Sequence, residues 1–190
     1  MSPLKEVQKT KRLTVRKGRD GRPYTPCVLF DLDGTLYDSS EYSERLESEI
    51  TRIVSQILNL NETTTASLLL TRRKEIGTLT RTIESLGIDR GLFYQMLADR
   101  VDPRQYIPPD LTVPKILGLL KEEGFVVGLV SNSGRPLVDK ILEALDVEAR
   151  HFDTIVTSTD AEPKHSPEPF SVGNEANWMR KPPYVVCWRS

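Results

Sequence analysis

Apolar residues fall along this chain in two rhythms. Short unbroken runs at Val28-Leu29-Phe30, Phe125 to Val130, Phe152 to Val156 and Tyr184 to Trp188 predict buried strands. Between the first two, from Ser39 to about Pro108, the apolar positions recur at helical spacing instead. Ser39 or Ser40 caps a first helix whose apolar positions are Leu46, Ile50, Ile53, Val54, Ile57 and Leu58. A second helix starts near Asn61 and contains Leu68, Leu69 and Leu70. Shorter ones run from Arg81 to Leu86 and from Leu92 to Val101. Gly77 and Gly87 punctuate them, and Pro103, Pro108 and Pro109 close the segment. Beyond it, Thr112 with Pro114 opens a helix that runs through Leu120 and stops at Gly124. Another begins near Pro136 and presents Ile141, Leu142 and Leu145.

The first strand ends on charge. Asp31 and Asp33 stand two apart, and Gly34-Thr35 then turns the chain away. Two close carboxylates repel and resist desolvation unless a positive group lies between them. A solvated strand end before a turn is the plain reading of such a pair. Ser131-Asn132-Ser133-Gly134 follows the second strand, where a serine hydroxyl and nearby amides can be aimed at an anion. Lys164, taken alone, is a surface lysine in a loop.

Read as a whole, Val28-Leu29-Phe30-Asp31-Leu32-Asp33-Gly34-Thr35-Leu36-Tyr37 resembles the first motif of the haloacid dehalogenase (HAD) superfamily in its phosphatase form. Ser131 resembles the second motif. Lys164, followed by Pro167 three on and Phe170 six on, resembles the third, with His165 directly after the lysine and Pro163 before it. The likeness covers roughly residues 27 to 170. It implies an α/β fold, a HAD-like Rossmannoid open parallel sheet with its site beyond the carboxyl ends of the strands. A helical cap would be inserted over 39–108, the core would comprise 24–38 and 109–190, and 1–23 would be a disordered basic arm.

The resemblance also implies roles. Asp31 is the nucleophile that forms an aspartyl-phosphate, and Asp33 is first the general acid and then the base. Lys164 neutralises the transferring phosphoryl charge. Thr35, Ser131 and Asn132 bind phosphate or its loop. Mg²⁺ is held by the Asp31 carboxylate and the main-chain carbonyl of Asp33. Arg72-Arg73-Lys74-Glu75-Ile76-Gly77-Thr78 is similar to the cap segment of HAD nucleotidases acting on pyrimidine 5′-monophosphates, which brings Thr78 toward the substrate. The plain alternative is a solvated helix face. Expected, then, is a Mg²⁺-dependent phosphomonoesterase for a small phosphorylated metabolite, such as a nucleoside 5′-monophosphate. The alternatives are a phosphotransferase or mutase of the same family, and a truncated, catalytically impaired phosphate-binding protein.

Composition changes this picture little. Of 190 residues, 38% are apolar and 28% charged, as in ordinary globular proteins. A net charge of −1 gives no global attraction to nucleic acid or anionic membrane. No apolar run approaches the ~20 residues of a membrane span, and no apolar signal core opens the chain. The expected setting is therefore the cytoplasm, with the nucleus as an alternative. Cys27 and Cys187 read as reduced core thiols. Residues 1–23 carry eight basic side chains against Glu6 and Asp20, which leaves a minor option of nucleic-acid contact. A fourth HAD motif, an acid completing the Mg²⁺ shell, is expected about two dozen residues after Lys164. Trp188-Arg189-Ser190 falls there instead, which suggests a C-terminally incomplete chain; Glu175 is the earlier candidate ligand.

Overall fold

The computed structural model describes residues 26–160, together with short strands at 16–17, 23–24 and 185–187. Its centre is a four-stranded sheet of β3 (Cys27–Asp31), β4 (Val126–Val130), β5 (Thr154–Val156) and β6 (Val185–Cys187), in the order β5-β4-β3-β6. β3 and β4 run parallel with Asp31 opposite Val130, and β4 and β5 run parallel with Val130 opposite Val156. These three strands therefore deliver their carboxyl ends to one edge of the sheet. Val28, Val127 and Leu129 are buried, and each such side chain contributes about 1.5–3 kcal/mol on leaving water. The α/β arrangement expected from the sequence is present.

The last strand differs from expectation. The run from Tyr184 to Trp188 reads as a further parallel strand, but β6 lies antiparallel to β3, with Cys27 opposite Cys187 and Leu29 opposite Val185. An apolar β-branched run marks a strand without fixing its direction, and the open edge of β3 accepts either. The carboxyl end of β6 consequently lies at the end of β3 opposite to Asp31, and Trp188, Arg189 and Ser190 are outside the described residues. Near the start of the chain, β1 (Arg16–Lys17) pairs antiparallel with β2 (Pro23–Tyr24), across the expected boundary between the arm of 1–23 and the core from 24. Such a ladder needs only backbone groups, which a basic composition does not remove.

Between β3 and β4 lie α1 (Ser40–Leu58), α2 (Glu62–Ile76), α3 (Leu79–Ser85) and α4 (Arg90–Arg100). Their starts follow local chemistry. The Ser39 hydroxyl accepts from the Tyr42 amide at 3.2 Å, Asn61 Oδ1 from Thr64 at 2.8 Å, and Asp89 Oδ1 from Leu92 at 2.7 Å. Each satisfies an amide that the helix itself leaves unpaired. Ile50, Ile53 and Val54 of α1 and Phe93, Tyr94 and Leu97 of α4 join one continuous core with Leu32, Leu129 and Ile141. α5 (Thr112–Glu122) leads into β4, and α6 (Arg135–Ala144) leaves it and packs against α4. Among the described residues no helix is long and apolar enough to cross a membrane.

Candidate active site

β3 stops at Asp31, whose Oδ1 accepts the next amide, Leu32 N–H, at 3.0 Å. The Leu32 carbonyl then takes the amides of Thr35 at 3.3 Å and Leu36 at 3.0 Å, closing a tight turn. Gly34 sits in that turn at φ +70°, the left-handed region a side chain disfavours. Leu32 and Leu36 anchor the turn by pointing into the core. The polar residues between and after them are thereby held at the rim of the sheet. The turn carries Tyr37 back beside Asp33, and the Tyr37 hydroxyl donates to Asp33 Oδ1.

The loop after β4 supplies the other side. Ser131 N–H donates to the Val156 carbonyl at 2.9 Å, which continues the parallel ladder by one residue. Its buried hydroxyl accepts from Ser133 N–H at 3.0 Å and so shapes the loop from within. Ser133 Oγ donates to Asp33 Oδ2 at 3.3 Å. Both oxygens of Asp33 thus accept a hydroxyl, one from each loop. Asn132 is exposed, and its main-chain carbonyl is the group that is engaged. It accepts from the Tyr94 hydroxyl at 3.1 Å and from Thr80 Oγ1 at 3.4 Å, tying α4 and α3 to the β4 loop. A third loop joins them, since Ser158 N–H donates to the Ser133 carbonyl at 3.1 Å. Thr159 Oγ1 accepts from Arg135 N–H at 2.9 Å.

Phenols crowd this region. Burial first, then the Asp33 carboxylate, push the Tyr37 hydroxyl far above its ordinary range, so it remains a proton donor. The same two causes raise Tyr42, whose ring meets Tyr37 edge-on with centroids 5.8 Å apart. Tyr94 is raised chiefly by burial; the Thr80 and Ser158 hydroxyls beside it pull the other way, Asp33 adds to the rise and the Arg73 guanidinium opposes it.

Asp31, Asp33, Thr35, Ser131 and Asn132 all lie in the turns that leave the carboxyl ends of β3 and β4. Thr78 caps α3, its hydroxyl accepting from Arg81 N–H at 3.4 Å, two residues before the Thr80 that reaches the Asn132 carbonyl. Lys164 and Glu175 are outside the described residues. Tyr37, Ser133, Thr80 and Tyr94 carry contacts that the sequence reading did not single out. The four-residue spacing from Asp33 to Tyr37 across an Asp-Gly turn was a usable signal. Tyr94 offered none, because its partner Asn132 is remote in sequence. Among the described residues no three His, Cys, Asp or Glu side chains cluster as metal ligands. The Asp31 carboxylate and the Asp33 carbonyl are hard oxygen donors at one rim, and in kind they suit a small hard dication.

Residues 25–173 match the family model of haloacid dehalogenase-like hydrolases. Phosphoglycolate phosphatase of Shigella boydii serotype 4 (strain Sb227) is 30% identical over 160 residues, covering 72% of this chain and 62% of the relative. The protein of the same name from Salmonella choleraesuis (strain SC-B67) is 30% identical over 166 residues, covering 75% and 65%. The chain therefore spans a little under two thirds of the length of these relatives. A HAD phosphatase structure from Thermococcus onnurineus aligns over 70% of this chain and 63% of its own, at 20% identity and a TM-score of 0.45.

Proposed function

The chain belongs to the haloacid dehalogenase-like hydrolase family, and from that premise we propose that it is a phosphomonoesterase using Asp31 as nucleophile. The observation that carries this reading is the placement of Asp31 at the carboxyl end of a central parallel strand, beside an Asp33 oriented by two hydroxyls from separate loops. An Asp31 oxygen attacks phosphorus, the ester oxygen leaves, and Asp33 gives that oxygen its proton. In the second half, Asp33 takes a proton from water, which attacks the aspartyl-phosphate and frees Asp31 and inorganic phosphate. Lys164 offsets the charge on the transferring group, while Thr35, Ser131 and Asn132 hold its oxygens or the loops around it. The Asp31 carboxylate and the Asp33 carbonyl, with Glu175 as a candidate further ligand, would hold Mg²⁺, which would supply charge neutralisation there.

The substrate is a small phosphorylated metabolite. The helices of residues 40–100 act as a cap that excludes water, with Thr78 at its substrate-facing turn. Likeness of the 72–78 segment to pyrimidine nucleotidases supports a nucleoside 5′-monophosphate, whereas the curated relatives are phosphoglycolate phosphatases. Transfer of the phosphoryl group to an alcohol is the second reading, because an aspartyl-phosphate serves both outcomes.

The test is Mg²⁺-dependent phosphate release from an aryl phosphate, 2-phosphoglycolate and uridine 5′-monophosphate. Asp31→Asn is expected to abolish release, and Asp33→Asn to slow it by about 10²- to 10⁴-fold. Undiminished turnover in Asp31→Asn sinks the proposal. Phosphorylated acceptor, rather than free phosphate, identifies the transferase.

A further inference from the structure

The sheet brings together the two cysteines of the chain, Cys27 and Cys187, which are remote in sequence. The antiparallel ladder of β3 and β6 sets Cys27 opposite Cys187, Val28 opposite Val186 and Leu29 opposite Val185. Opposite residues of such a pair share one face of the sheet, with Cβ atoms about 4.5–5.5 Å apart. Their Cα atoms are about 4.5 Å apart in a non-hydrogen-bonded pair and about 5.5 Å in a hydrogen-bonded one. A disulfide accepts Cα separations of about 4.4–6.8 Å, so either kind of pair is within its reach. A slip of one residue along β6 would instead put Cys187 on the other face.

The position is open to a reagent. Side chains alternate along β3, which places Cys27 on the face opposite to the buried Val28. Cys27 itself is half-buried and present as the thiol. Val126, level with it at the start of β4, is exposed. Asp31 closes the other end of β3, four residues or about 13 Å along the strand. The cysteine pair is therefore separate from the carboxylate site.

We propose that Cys27 and Cys187 form a reversible disulfide that clasps β6 to the edge of β3 when the protein meets a small disulfide oxidant, RSSR. One protein thiolate attacks a sulfur of RSSR and expels RS⁻, leaving a mixed disulfide. The second protein thiolate attacks the protein sulfur of that mixed disulfide and expels the other RS⁻. The two thiol protons leave with the products as two RSH. The pair loses two electrons, RSSR gains them, and one S–S bond replaces another. Disulfides average about 3.8 Å between Cβ atoms, so closing a facing pair draws the two strands together. A link under such tension is easily reduced, which makes the clasp reversible.

The full chain, reduced and freed of reductant, is incubated with excess oxidised glutathione, then alkylated and digested without reduction. A monomer without remaining thiols is expected, yielding one peptide pair joined through Cys27 and Cys187. The melting temperature should rise by about 5 °C or more, since a link across a long loop restricts the unfolded chain most, and dithiothreitol should reverse both changes. The yield of linked pair relative to glutathione-bearing cysteine should be at least ten-fold higher for the native chain than for the chain oxidised in concentrated urea. Cys187→Ser should leave Cys27 carrying glutathione and abolish the thermal gain. Equal ratios in the native and urea-treated chains overturn the proposal, and need no variant to fold. So do thiols left unreacted, glutathione retained on each cysteine of the native chain, or links only between two chains. A native Cys27–Cys187 link that fails to raise the melting temperature overturns it too, because the ladder is then broken to make the bond.

Discussion

Asp33 accepts two hydroxyls, and removing either should show in its chemistry more than in stability. Tyr37→Phe deletes one hydrogen bond to a charged group, an interaction of roughly 1.5–3 kcal/mol. If Asp33 must be oriented to give and take its proton, kcat should fall by about ten-fold or more while KM stays within about two-fold. A matching loss in both constants would indicate general damage to the turn instead. Asp153 offers a different residue-scale check. Its carboxylate binds Lys121 Nζ and the Val127 amide, both at 2.9 Å, and fastens the start of β5 to β4. The Lys121 contact first, and the amide next, hold its pKa below the ordinary carboxylate value. A depressed folded-state pKa means its stabilisation is present above the unfolded value of about 3.9 and is lost as pH falls through the folded one. Thermal melts should therefore separate the native chain from Asp153→Asn at pH 6, and the gap should close toward pH 2. The sequence exposed Asp31 and Asp33 because neighbours in the chain frame them. Ser133 was harder to single out: Ser131 and Ser133 look alike in a Ser-Asn-Ser loop, and only the fold turns one hydroxyl inward and the other toward Asp33.

At the scale of elements, the helices were legible because their caps are local. Ser39 and Asn61 were read as helix starts and cap α1 and α2, while α5 begins at the expected Thr112 without a side-chain cap. What joins the helices was not legible. Glu49 of α1 is almost fully buried and meets Arg45 and Arg52 at 2.9 Å and Arg100 of α4 at 3.8 Å. Nothing in the spacing announces a buried glutamate on an otherwise apolar face. Glu49→Ala should destabilise by roughly 2 kcal/mol in urea unfolding, under the ~3–5 kcal/mol of a fully buried pair, because the arginines still reach water. The junction of α4 with α6 is stricter. Any side chain at Gly134 would overlap the ring of Tyr94, so the glycine is there for close approach and not for an unusual φ. Gly134→Ala should cost about 1–3 kcal/mol, by the same assay, through forced displacement of that ring. A wild-type midpoint for this variant would mean that Tyr94 moves aside freely.

For the molecule as a whole, the parallel sheet followed from the resemblance to the HAD family, but the direction of β6 did not, since a three-residue ladder has no local signature of sense. The basic stretch before β3 invites one global test. Deleting residues 1–23 should leave the melting temperature within error, and any nucleic-acid affinity of the full chain should fall steeply with salt if it exists. Salt-insensitive binding lost with the deletion would contradict an electrostatic arm. The antiparallel pairing of β3 with β6 bears on how this fold is reached in time. Strand β3 is central to the sheet and is made early, yet one of its two edges is closed only by Val185–Cys187. Every described helix must be synthesised first. Contacts so far apart in sequence are reached late, because their loop-closure entropy is met before they return any stability. During synthesis at ~5–20 residues per second, the Val28-Leu29 edge therefore waits for many seconds as a bare row of amides and carbonyls. That interval, more than the finished surface, is when a nascent chain of this protein would engage a chaperone or a second nascent copy.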